Sequence, residues 1–278
     1  MKRIVTILLL WILLIPSVGA QNIDTMPTAE ELKAVNDSIL AEAYQLYLHE
    51  KVAWILEDLF YGSESKAIKD VEGWIPFTDD GVNVKGIFFN EEKTKSLFEA
   101  SFNIETREWA TTDSIRNLTA EEIEAINVHL QVINAVNSLD NIPSCPEGCT
   151  FNIQVMRMGE DLYRVYWILG TSQHGIIPFG CDFSYDCDSS GNITEFRRYH
   201  NSYIPSPLIM DGEPVREIIH SHTSICPYVA PTDIALFLLY GYGSSELTGF
   251  KVYSSALKCY FVFDAESFEI SVENRKPH

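Results

Sequence analysis

Basic residues are scarce in this chain of 278: Lys and Arg number 20 against 39 Asp and Glu, a formal net charge of −19. A surface that acidic repels phosphate and anionic lipid headgroups, which argues against nucleic acid as a partner. Long apolar runs are missing beyond the first twenty residues; no later segment approaches the roughly 18 unbroken apolar residues of a membrane span. There is no G-x-S-x-G turn and no useful Ser/His/Asp spacing, so a serine nucleophile has no support. Phosphate-cradling glycine loops, internal repeats and low-complexity stretches are absent as well. Disorder is excluded by composition, because 46% of the residues are hydrophobic and can bury a core.

What is present begins with a leader. Lys2 and Arg3 precede an apolar stretch, Ile4–Ile15, and Ser17-Val18-Gly19-Ala20 supplies the small residues of a signal-peptidase site. The pattern predicts a signal peptide over residues 1–20 and an exported chain, periplasmic or secreted, with no stable membrane anchor after cleavage. Gln21, not Cys, follows the cleavage point, which argues against a lipoprotein. With Lys2 and Arg3 removed, 18 basic residues face 39 acidic ones, a net charge of −21. Six cysteines in an exported protein point to disulfides, with Cys145–Cys149 and Cys226–Cys259 as possible pairs.

Helical period runs through residues 21–62, opened by a Thr28/Glu31 capping box. Strand period follows over residues 71–116, with Asp79-Asp80-Gly81 and Asn90-Glu91-Glu92 as turns. A second capping box, Thr119/Glu122, starts a helix reaching about Val136. Residues 138–149, turn-rich with two prolines, read as a linker. Strands are then expected at Thr150–Met158, Tyr163–Leu169, Ile177–Cys187 and Ile193–His200. The fold expected is α+β: an N-terminal helix–sheet–helix region over residues 21–137 and a mixed-sheet region with one buried helix over residues 150–278.

The stretch with most chemistry is Arg216–Asp233, REIIHSHTSICPYVAPTD. On a strand ending near His222, side chains alternate, so His220 and His222 project from one face. Ala230-Pro231-Thr232-Asp233 opens an apolar helix closed by Gly241, with Asp233 in its first turn and Thr232 as the expected cap. Two imidazoles and a carboxylate with one open position are the donor set of a catalytic Zn²⁺.

HSH, ten residues, then Asp resembles the metal motif of the JAB/MPN (JAMM) metallopeptidases, and the following helix and two strands, Gly249–Ser254 and Leu257–Phe263, fit the same pattern. The resemblance covers at most residues 150–275. It implies His220, His222 and Asp233 as metal ligands. The family's oxyanion-stabilising Ser corresponds here to Ala230. For the family's general-base Glu, Glu160 in GEDLYRVYWILG is the candidate by its distance upstream, with Glu195, Glu213 and Glu217 as others. His200, at a strand end, is a candidate substrate-contacting residue, proton shuttle or extra ligand. Asp186–Arg197 resembles a calcium loop, but Arg197 occupies the position of the bidentate Glu, and the stretch reads as a hairpin turn. The function expected is an exported zinc-dependent peptidase or amidase acting on a peptide or protein. The competing expectation is a non-catalytic binding module with an acidic surface.

Overall fold

The computed structural model describes residues 26–62, 70–78, 83–103, 106, 108–112, 115–139, 142–243 and 246–274. The leader, residues 1–20, and the Asp79-Asp80-Gly81 turn lie outside the described residues. The fold is α+β with mixed sheets, as the sequence pattern predicts. Helix α1 (Ala29–Gly62) begins where Glu31 N–H donates to the Thr28 hydroxyl and Thr28 N–H donates back to Glu31. That reciprocal bonding satisfies orphan amides of the first turn. Strands β1 (Val71–Thr78), β2 (Asn83–Asn90), β3 (Lys95–Asn103) and β4 (Glu108–Thr112) form an antiparallel meander, with β5 (Arg116–Asn117) also pairing β3. Helix α2 (Ala120–Asn137) follows its Thr119/Glu122 capping box, and Glu122 is held in addition by Arg116 at 2.6 Å.

A second antiparallel sheet contains β6 (Cys149–Arg157), β7 (Tyr163–Thr171), β9 (Phe183–Cys187) and β10 (Ile193–Arg198), in the order β10-β9-β7-β6. Strand β8 (Ile176–Gly180) leaves that sheet to pair with β11 (Tyr203–Pro207), and β12 (Ile209–Met210) pairs with β13 (Glu213–Pro214). The expected single strand Ile177–Cys187 is therefore two strands. The break is made by Gly180 and Cys181, with φ of +91° and +55°. A Cβ at Gly180 would stand 2.0 Å from the Ser202 carbonyl oxygen, so only glycine fits. Left-handed backbone at the non-glycine Cys181 costs about 1 kcal/mol. The turn puts Asp182, completely buried, between the two sheets.

The last sheet is mixed. Strand β14 (Ile219–His222) runs parallel to β15 (Gly249–Ser254), while β16 (Cys259–Asp264) and β17 (Glu269–Asn274) continue antiparallel. Strand β17 is one more than the sequence pattern gave. The parallel pair needs a crossover, supplied by α3 (Pro231–Leu236) and a π-helical turn over Phe237–Gly241. α3 is wholly buried and packs in one core with Leu32, Leu40, Ala43 and Leu46 of α1, and with Phe250, Val252, Phe261 and Phe263 of β15 and β16. Further along, Leu48, Val52 and Leu56 of α1 pack on the first sheet instead. One long helix thus carries two cores, and the region before residue 137 is not packed apart from the region after 150. All six cysteines are free thiols, including the two pairs considered from sequence. Among the described residues no helix is long and apolar enough to cross a membrane.

Candidate metal centre

Alternation along β14 does what the sequence predicts. Ile219 and Ser221 face outward, His220 and His222 face inward, and pairing of His220 with Val252 and His222 with Ser254 fixes the register. The crossover then returns the chain, and Pro231 at the first helical position opens α3 so that Asp233 lies in its first turn. The cap is not Thr232, as expected, but Ala230. With no side-chain oxygen at Ala230, the Asp233 carboxylate serves the helix end itself, accepting the Ala230 N–H at 3.0 Å. Thr232 instead turns its hydroxyl to Asp182.

His200 arrives from the junction between β10 and β11 and joins the other three. His200, His220, His222 and Asp233 are all buried, and one ligand atom from each lies within 4.8 Å of every other. Asp233 Oδ1 is 3.3 Å from His220 Nε2 and 3.4 Å from His200 Nε2, while Asp233 Oδ2 is 3.2 Å from His222 Nε2. Metal–ligand bonds of about 2.0–2.1 Å in a tetrahedron give ligand–ligand edges of about 3.3 Å. The two separations from Asp233 Oδ1 match that edge, and the one from Oδ2 is of similar length. The His200–His222 separation, 2.7 Å between Nε2 atoms, is shorter and would open around an ion.

The outer faces of the rings are fixed. His222 Nδ1–H donates to the Tyr228 carbonyl at 2.5 Å, and His200 Nδ1–H donates to Asp182 at 2.6 Å, so both rings aim Nε2 inward. His220 packs beside the Phe179 and Phe250 rings, with centroids at 5.2 and 6.0 Å. Its two ring nitrogens and Asp233 Oδ1 are buried and make no hydrogen bond. Unpartnered buried polar atoms are costly, and two of these, His220 Nε2 and Asp233 Oδ1, lie 3.3 Å apart in the cluster. A cation there would satisfy Asp233 Oδ1 and one nitrogen of each ring, so the residues present fit a divalent metal.

Electrostatics point the same way. Burial by itself would raise Asp233, but the three imidazoles outweigh it and hold the carboxyl well below its ordinary range. Burial lowers His220 despite Asp233. For His222, burial is outweighed by Cys226 and Asp233, which hold it well above the ordinary imidazole value. For His200, the Asp182 and Asp233 carboxylates outweigh burial and raise it. The centre is a carboxylate that attracts positive charge from three sides.

The cluster therefore brings together His220, His222 and Asp233, adds His200 in the extra-ligand sense, and can hold a metal ion. Glu160 is not brought to it: that side chain lies in the exposed turn between β6 and β7, where its carbonyl accepts from Arg157. Glu195 pairs with Arg197, while Glu213 and Glu217 are exposed, Glu217 pairing with Lys251 at 3.1 Å. The second carboxylate at the centre is Asp182, which the sequence pattern did not single out because it fell inside an apparent continuous strand. Gly180, a glycine within that apolar run, was the available signal of a break. The calcium-like stretch is a hairpin turn, with Asp188 Oδ1 accepting from the Ser190 and Asn192 amides and Asp186 paired with Arg164 and Arg197.

No protein-family model, curated protein or solved structure matches the chain.

Proposed function

We propose that the protein is an exported zinc-dependent hydrolase acting on peptide or related amide bonds, similar to JAB/MPN metallopeptidases in its HSH-x10-Asp arrangement. The observation that carries the reading is the convergence of three imidazole nitrogens on the Asp233 carboxylate, two of them on Oδ1 and one on Oδ2, at 3.2–3.4 Å, with Oδ1 itself lacking a hydrogen bond. Three nitrogens and one oxygen are borderline-hard donors, which suit Zn²⁺ among the common biological ions. Zn²⁺, when bound, supplies Lewis-acid polarisation of a carbonyl and a water acidic near neutral pH. The chain's own part is to hold the donors: β14 aims two rings, α3 aims the carboxylate, and the Phe179 and Phe250 rings exclude water beside His220. The Ala230 N–H is already committed to Asp233 and is not free to stabilise an oxyanion. Export rests on the leader of residues 1–20.

A second reading has its own observation. Four protein donors complete a tetrahedron, and all four are buried, which is how a structural zinc site is built. Metal analysis and cobalt substitution separate the two. The hydrolase reading expects near-stoichiometric zinc, absent from His220→Ala, a Co²⁺ visible spectrum that azide perturbs, and cleavage of an unstructured protein that His220→Ala abolishes. Stoichiometric metal with an azide-insensitive spectrum and no cleavage gives the structural site. Purified protein that takes up no metal removes both.

A further inference from the structure

We infer that Asp182 is a positioning residue of the metal centre, fixing His200 as its fourth ligand and tying that ligand to the helix that carries Asp233; the inference rests on the metal-binding reading above. The carboxylate of Asp182 has two partners. One oxygen accepts His200 Nδ1–H at 2.6 Å, and the other accepts the Thr232 hydroxyl. Thr232 precedes Asp233 in the first turn of α3, so a single buried carboxylate joins two of the four donor-bearing segments.

Three features converge on that role. Asp182 is fully buried, yet its partners among the described residues are an imidazole and a hydroxyl, with no Lys or Arg ion pair to it. A divalent ion on the far nitrogen of His200 supplies the missing positive charge through the ring, as in carboxylate–histidine–metal arrangements generally. Next, the backbone is bent to deliver this side chain. Gly180 and Cys181 take successive positive φ, the Cys181 N–H donates to the Ser202 carbonyl, and the Asp182 carbonyl accepts the Tyr199 N–H. Both bonds tie the Asp182 turn to the segment flanking His200. Finally, His200 Nε2 is as far from Asp233 Oδ1, 3.4 Å, as His220 Nε2 is, 3.3 Å. A ring held at a ligand's distance, with its other nitrogen locked, is oriented to donate.

The test is Zn²⁺ affinity of the full mature chain by competition with a chromophoric chelator, together with the visible spectrum of the Co²⁺ form and apo melting temperature. Asp182→Asn keeps the shape and an acceptor but removes the charge. It is expected to weaken Zn²⁺ by about 10–100-fold while the apo melting temperature changes little. Asp182→Ala is expected to lower the intensity of the Co²⁺ bands as His200 gives way to water, the same change that His200→Ala produces. Thr232→Val removes only the tie to α3, and should weaken Zn²⁺ several-fold if the Asp182 variants fail to fold. Zn²⁺ affinity and Co²⁺ spectra unchanged in all of the folded variants, with His220→Ala still abolishing binding, would overturn the role of Asp182 and leave the metal site standing. Wild-type protein that binds no metal would remove the site itself.

Discussion

Among the described residues, a largely buried ion-pair cluster and the buried cluster around Asp233 are solved differently. In one, Arg164 lies between Glu42 of α1 and Asp186 of β9, at 2.5 and 2.6 Å, while Arg197 reaches the same Asp186 at 2.6 Å and Tyr166 donates to Glu42. Positive and negative groups alternate, and the cluster answers its own charge. In the other, around Asp233, imidazoles surround a carboxylate and leave Asp233 Oδ1 and both His220 nitrogens without hydrogen bonds. A self-neutralised cluster holds elements together; an unfinished one implies something added. The contrast teaches that burial of polar residues says little by itself, and that a buried carboxylate ringed by three imidazoles, with no Lys or Arg ion pair among the described residues, carries the functional information.

The comparison breaks most visibly at Arg164. Arg164→Met strands Glu42 and Asp186 and should cost about 3–5 kcal/mol in urea unfolding, by the same amount with or without zinc. The metal cluster should behave oppositely. Chelation of protein held in free Zn²⁺ at about 100 times Kd should remove about 2.7 kcal/mol, and His220→Ala should show no chelator response in a thermal melt.

A third buried group sharpens the contrast through pH. Glu50 of α1 is buried, and desolvation pushes its carboxyl up to about 7 although the Gln154 and Asn152 amides donate to it. Folded Glu50 thus keeps a proton that the unfolded chain releases near the ordinary value of 4.5. Its contribution is present in full below pH 4.5 and lost as pH rises through about 7. The loss is on the order of 3 kcal/mol. Half-buried His49 and His129, both pushed down to about 4 by desolvation, act in the opposite direction, adding stability as pH rises toward 6.5. The difference in melting temperature between wild type and Glu50→Gln, followed from pH 4 to 8, isolates the first effect and should move in favour of the variant as pH rises. Smallest is the cap of α2. Thr119→Ala should cost about 1 kcal/mol, with no change in metal content.

Local rules made much of this legible. Thr28 with Glu31 and Thr119 with Glu122 mark helix starts because a hydroxyl and a carboxylate three residues apart meet the same orphan amides in any context. His220 and His222 were readable because period-two alternation on β14 leaves no freedom. Asp233 followed from the helix start at Pro231. His200 was only half legible, since whether a strand-end imidazole points outward or toward β14 depends on how two sheets join. Asp182 was hidden by the same junction: FGCDFSYDC has strand chemistry throughout, and only backbone dihedrals at Gly180 and Cys181 divide it. Glu160 was chosen by distance along the chain, a quantity the fold does not respect. Strand β17 has alternating but only partly buried positions, so its apolar pattern is too weak to mark a strand.

Strand β14 is four residues long and forms the border of its sheet, joined to β15 along one side. Its two histidines and the carboxylate beyond the crossover make any bound ion a clasp on that border. Releasing the clasp would free β14 to lift and leave the hydrogen-bonding edge of β15 open to a neighbouring molecule. The failure of demetallated protein should then be clumping through strand pairing before the core melts, visible as light scattering that begins below the unfolding transition.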